Sequence, residues 1–226
     1  MRALNISTSL LSWTPDILRN ERYYQSEIKG LPRLPCTTSE SDYMNTYGVV
    51  VLAEMHSSLS TILAYPEKAD RPMGCTKVMH AGKKKKYRSS DTCCVIALTL
   101  LLNSFIRPSD FVYLTTTPKP WEVAADNEEH FSYPGIVQSV GKTDGKVQVA
   151  IKEEYLEKIK DAIEARSLLI VVVSSIASEL RIYAALCNPD HSRMLMKHIL
   201  APGPIKGADT ATESETHDKI ITDLVS

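Results

Sequence analysis

At 226 residues, with 43% hydrophobic and 23% charged side chains, the chain has the content of a folded protein of one or two domains, able to bury about 70% of its extended-chain surface. Its formal net charge of -1 excludes a molecule that attracts nucleic acid by overall charge and leaves only local patches for that role. The five cysteines are odd in number and form no Cys-x-x-Cys pair. With no signal-peptide pattern at the start, they read as reduced thiols of the nucleus or cytoplasm, not as a disulfide framework.

From the N-terminus, Thr14-Pro15-Asp16 opens a helix: a capping hydroxyl, a proline tolerated at the first position, and an acid at the positive end. Ile17, Tyr24 and Ile28 share a face, and the spacing predicts one helix that ends at Lys29-Gly30. Residues 31–41, with Pro32 and Pro35, read as a loop. Leu52, Met55, Leu59, Ile62 and Leu63 then recur at helical spacing up to Pro66, so residues 1–66 are expected to form a helical stalk. Residues 67–92 are polar, carry Pro72, Gly74 and Gly82, and are expected to be irregular. The run 93–106 is apolar but too short to cross a membrane. Residues 67–104 thus read as an irregular basic segment joined to an apolar run.

Phe111–Thr115, Gly135–Val140 and Val147–Ile151 read as barrel strands, with a longer loop around Pro118-Lys119-Pro120-Trp121. Asp144-Gly145 between the last two is a hairpin signal. Residues 153–166 form a charged helix, with Tyr155, Ile159, Ala162 and Arg166 on one face, inserted in a barrel region of residues 105–174. Leu168–Val173 is continuous and largely β-branched, so it reads as a strand covered on both faces. Ser174 and Ser175 offer an N-cap to a helix striped by Ile176, Leu180, Tyr183, Ala184 and Cys187. Asn188-Pro189-Asp190 stops it and caps a second helix with Met194, Leu195, Ile199 and Leu200, which makes a helical pair over residues 175–202. Residues 203–226 read as a disordered acidic tail. The expected fold class is α+β: a small, mainly antiparallel β-barrel flanked by N-terminal and C-terminal helices.

Four phrases carry a resemblance. They are Leu11-Ser12-Trp13-Thr14-Pro15-Asp16-Ile17-Leu18, Leu52-Ala53-Glu54-Met55-His56-Ser57-Ser58-Leu59, Ile106-Arg107-Pro108-Ser109-Asp110-Phe111-Val112-Tyr113-Leu114, and the strand and Ser-Ser-Ile hinge before Leu180-Arg181-Ile182-Tyr183-Ala184-Ala185-Leu186, closed by Lys197-His198-Ile199-Leu200-Ala201-Pro202. In order and approximate spacing they resemble the region in front of the ATPase motor of plant-type Sen1-like superfamily 1 helicases. That resemblance implies a small barrel and a helical stalk that sit against the motor and help to grip single-stranded RNA or DNA.

The motor itself is not read in the chain. Its phosphate loop needs glycines, a lysine and a Ser/Thr hydroxyl at the start of a helix. Gly141-Lys142-Thr143 has the last part of that pattern, but five residues separate Gly135 from Gly141 where the loop requires four, and another strand is expected to follow. A hairpin turn is the expected structure there.

The remaining chemistry is sparse. Lys83, Lys84, Lys85, Lys86, Tyr87 and Arg88 form a basic run with one aromatic, open to three readings: a solvated loop, a nuclear import signal, or contact with single-stranded RNA or DNA. Barrel positions near Phe111, Tyr113, Tyr133 and Gln138 are further places for such contacts. None of the histidines forms a metal-ligand pair with a supporting acid; His191 and His198 lie two helical turns apart, too far for one metal. Cys93-Cys94 reads as core filling. Trp121 reads as a lid over the barrel end or an anchor for a partner. No catalytic constellation, cofactor site or metal site is read. Two functions result: a non-catalytic accessory region of a Sen1-like helicase, with nucleic acid and a helicase motor as partners and no membrane, or a protein-interaction module that keeps the fold without nucleic-acid binding.

Overall fold

Period-two alternation builds the strands of a closed barrel. The computed structural model describes residues 6–31, 40–68, 73–82, 85–86, 92–101, 105–122, 130–141 and 145–186. Its strands are β1 (Cys75–Ala81), β2 (Lys85–Lys86), β3 (Cys93–Leu100), β4 (Asp110–Thr115), β5 (Ser132–Val140), β6 (Lys146–Lys152) and β7 (Leu169–Ser175). The order is β1-β7-β4-β5-β6-β3, every neighbouring pair is antiparallel, and β1 pairs with β3 to close the ring. Within it, β4, β5 and β6 run as a meander and β7 returns beside β4, a Greek key.

One bent strand closes the barrel. Its first half, Cys75 to Lys77, pairs with β7, and its second half passes to β3, where His80 faces Thr99 and Ala81 faces Leu98. The register shift between Val78 and His80 marks the bend. Gly82 N–H donates to the Ala97 carbonyl, and β2 then continues the same course, with Lys85 opposite Val95 and Lys86 opposite Cys94.

Two cores share these strands. Cys94, Ile96 and Leu98 of β3, Val112 and Leu114 of β4, Val147, Val149 and Ile151 of β6, and Ile170 and Val172 of β7 fill the interior. Gly135 of β5 leaves room for them, since a Cβ there would stand 2.7 Å from Val149 Cγ1 and 3.2 Å from Val112 Cγ2. A 3-10 turn at Glu153–Tyr155 leads into α5 (Leu156–Glu164), whose Ile159 and Ala162 are buried in the same core and close one barrel end. The alternate residues Phe111, Tyr113, Ile136, Ala150 and Val173 point outward into a second core. Helices α1 (Ile6–Leu10), α2 (Pro15–Arg19), α4 (Glu40–Ala64) and α6 (Ala177–Leu186) make its other side, while α3 (Gln25–Lys29) buries no side chain. Leu10, Trp13, Leu18, Leu52, Met55 and Leu59 are buried there, and the Tyr113 hydroxyl donates to the Trp13 carbonyl at 2.9 Å. The α+β class with a small antiparallel barrel is therefore the observed one.

Several local expectations change. Thr14 does cap α2, its hydroxyl accepting from Ile17 N–H at 3.4 Å, but the helix stops at Arg19 because the Asn20 side chain takes the Arg22 N–H at 3.1 Å and diverts the backbone. One expected helix is thus two, α2 and α3, and α1 precedes them. The loop of residues 31–41 gives way at Glu40, where α4 begins well before Leu52. Residues 67–92, expected to be irregular, hold β1 and β2; only Thr76 and Val78 of β1 are buried, which gave the segment its polar look. The apolar run after them is β3, apolar because it serves both cores. Ser174 and Ser175 end β7 instead of capping α6; the Ile176 carbonyl accepts the first helical bond, from Leu180 N–H. Ala184 is exposed, and Leu186 packs in its place. Arg166 has left the helical face, at φ 55° beyond α5. The second helix of the pair and residues 203–226 lie outside the described residues.

Candidate nucleic-acid interface

The basic run is split by the strand it belongs to. Lys85 and Lys86 are exposed on β2, while Lys83, Lys84, Tyr87 and Arg88 lie outside the described residues. Alternation sends neighbours to opposite faces. Lys85 shares the outer face with Val95, and Lys86 lies on the side of Cys94, whose partners line the interior.

The four barrel positions separate in the same way. Phe111 and Tyr113 are fully buried under the helices, so neither meets a ligand, a correction to the expected contacts that follows from the helical layer on β4. Gln138 is exposed. Tyr133 is half-buried in the middle of a three-ring stack, 4.7 Å from Phe131 and 4.1 Å from Tyr155. Lys152 Nζ stands 5.7 Å from the Tyr155 ring and 3.4 Å from the Glu154 carboxylate. Burial, with Glu154 beside it, pushes the Tyr155 phenol up to about 12. The stack is a seal for the barrel end beside α5, with its edges open to solvent.

Gly141-Lys142-Thr143 falls in the β5–β6 connection. Gly141 N–H donates to the Lys146 carbonyl, Gly145 takes φ 64°, and β6 follows directly, so no helix is available to hold phosphates in the manner of a P-loop. Residues 142–144 lie outside the described residues.

Other candidates have structural partners. His56 is buried on α4 inside a cage of Trp13, Tyr23 and Tyr24, and its Nε2 lies 2.8 Å from the Ile17 carbonyl. Burial holds its pKa below the usual histidine value. The ring fastens α2 to α4. Cys93 and Cys94 are buried on opposite faces of β3, as core filling requires. Trp121 packs partly against the helix-side core, next to the Lys119–Glu122 ion pair at 2.8 Å. His191 and His198 lie outside the described residues. Among the described residues, no group of three His, Cys, Asp or Glu side chains stands close enough to hold a metal. Thr46–Ala64 of α4 is long and apolar enough to cross a membrane by length and composition, and its Leu52, Met55, Leu59 and Leu63 are buried in the helix-side core.

Sequence reading overlooked the lysines next to the basic run. Lys77 of β1 and Lys146 of β6 stand on strands adjoining β3, and the signal was available in the pattern Lys146, Gln148, Ala150 alternating with Val147, Val149, Ile151. Compared with known proteins, the chain matches no family model and no curated protein.

Proposed function

We propose that this chain is a non-catalytic accessory module that supports binding of single-stranded RNA or DNA, of the kind that stands in front of the motor in Sen1-like superfamily 1 helicases. One observation carries the reading. The helix before the barrel, α4, and the helix after it, α6, pack against each other, with Leu180, Tyr183 and Leu186 of α6 on the core that holds Leu52 and Met55 of α4. The chain therefore enters and leaves the barrel side by side, through a two-helix stem. Such a stem lets a barrel be carried by a larger body without disturbing it, and a barrel with exposed Lys85 and Lys86 supplies charge for a phosphate backbone. The module contributes grip, and ATP hydrolysis belongs to the motor that carries it.

The second reading, a protein-interaction module without nucleic-acid binding, draws on Val50 of α4 and Ile182 of α6, apolar side chains left 42% and 54% exposed on the stem. Salt separates the two, because phosphate contacts weaken steeply with salt and apolar contacts do not. The test is a titration of the purified chain against fluorescent single-stranded RNA and DNA at low and moderate salt. Salt-sensitive binding is the expected result. No binding at low salt refutes the nucleic-acid role and leaves the interaction module.

A further inference from the structure

The lysines of the barrel strands are segregated. Lys77, Lys85, Lys86, Lys146 and Lys152 all lie on β1, β2 and β6, the strands that flank β3, whereas β4, β5 and β7 carry no lysine or arginine. The four neighbouring strands β1, β2, β3 and β6 contain no Asp or Glu at all. A wall that only had to be soluble would mix both signs. In a chain with net charge -1, a one-sign wall is a local field that the overall balance conceals.

Register fixes which of these side chains share a surface. The outward row Phe111, Ile136, Ala150, Val95 belongs to or packs on the helix-side core, and it ends at exposed Lys85. In the rows beyond it His80 and Lys146 are exposed, and Lys77, Ala97 and Thr99 are half-buried. His80, Thr99 and Lys146 stand in line across β1, β3 and β6, two strand spacings or about 10 Å wide. Lys77 adjoins that row, where Leu101 N–H donates to its carbonyl. Lys85 stands opposite Val95, four residues along β3 from Thr99 or about 13 Å away. The floor between the cations is Ala97 and Thr99, both small. None of the four strands carries Phe, Tyr or Trp.

We infer that this wall, bounded by Lys77, Lys85 and Lys146, is the surface on which the module holds a nucleic-acid strand, and that it holds the phosphate backbone alone. The inference rests on the proposed nucleic-acid role and locates it. Cations over a flat floor of small side chains suit a polyanion, and with no aromatic ring to stack a base, the wall has no means of preferring one base over another.

The experiment is fluorescence anisotropy of the full chain with a mixed-sequence single-stranded RNA of about 16 nucleotides, the upper end of the site size of a small nucleic-acid-binding barrel, over a series of salt concentrations. The plot of log affinity against log salt is expected to be linear, and K77Q/K146Q is expected to lower its slope by about 1.4, or about 0.7 for each lost phosphate contact. K77R/K146R, which keeps both charges, is expected to retain the parent slope. If the glutamine pair fails to fold by circular dichroism, the single K146Q, at an exposed position, carries the test with a slope change of about 0.7. An unchanged slope in folded K77Q/K146Q, with binding abolished by K83Q/K84Q/R88Q, overturns the wall and leaves the accessory role standing. No RNA binding by the parent chain overturns the role itself. A preference beyond about tenfold between oligo-U and oligo-A overturns recognition by backbone alone.

Discussion

Replacing Tyr113 by Phe removes one oxygen at the seam between barrel and helices. The Tyr113 ring is fully buried on β4, edge-on to Phe111, and its hydroxyl donates to the Trp13 carbonyl just before α2. The bond contributes about 1 kcal/mol, and the Trp13 carbonyl left without it in a buried site raises the loss to about 2 kcal/mol. For a chain of this size that lowers the melting temperature by about 4–8 °C. Urea unfolding followed by tryptophan fluorescence and by far-ultraviolet circular dichroism measures it. Trp13 is fully buried in the helix-side core and Trp121 packs partly against the same core, so fluorescence reports the helical layer while circular dichroism reports the whole chain. Both transitions are expected to move together to lower urea. A second signature lies at alkaline pH. Burial raises the Tyr113 pKa well above its ordinary value, so its contribution is complete below the unfolded value of about 10 and is lost as pH rises beyond it. The Phe variant is expected to lose that part of the alkaline destabilisation. A variant within about 0.3 kcal/mol of the parent, or a fluorescence transition that separates from the circular dichroism, refutes a seam held by this bond.

Gly135→Val inserts three carbons where a Cβ alone would meet Val149 at 2.7 Å; a loss of about 1–3 kcal/mol is expected from overpacking, read by chemical denaturation. His56→Gln tests the aromatic cage. Because burial lowers the folded pKa of His56, its contribution is complete above the unfolded value of about 6.5 and is lost as pH falls below it toward the folded value. The drop in melting temperature between pH 7.5 and 5.5 is therefore expected to shrink in the variant, and an unchanged drop means that other groups govern acid stability.

Legibility followed how many faces a segment buries. The strands Phe111–Thr115 and Leu168–Val173 were plain because both faces are covered, which leaves an unbroken apolar run. β5 and β6 were plain because a hairpin signal joins them and one face alternates. β1 was hidden: a strand that buries only Thr76 and Val78, leaves Lys77 half-buried and shows Met79 and His80 to solvent looks like a loop once Pro72, Gly74 and Gly82 surround it. Its pairing with β7 on one side and β3 on the other is a property of the closed ring, which no local pattern encodes. The candidate site was half legible for the same reason. A run of four lysines is conspicuous in sequence, but Lys77 and Lys146 stand 69 positions apart and meet the same surface only through β3.

The same alternation accounts for where the stem and the basic wall stand. Helices settle over β4 and β7 because Phe111, Tyr113 and Val173 face outward there, and burying them removes apolar surface from water. They stop at Lys85 because a buried ammonium without a partner costs more than the adjoining apolar contacts return. The wall beyond it is thereby left with His80 and Lys146 in solvent and Lys77 half-buried. If a larger body carries the module by α4 and α6, it takes hold through the helical layer, and the cations stay on a separate surface. A variant that adds charge to the stem, such as Ile182→Lys, is therefore expected to disturb assembly with that body while leaving the RNA salt slope of the isolated chain unchanged.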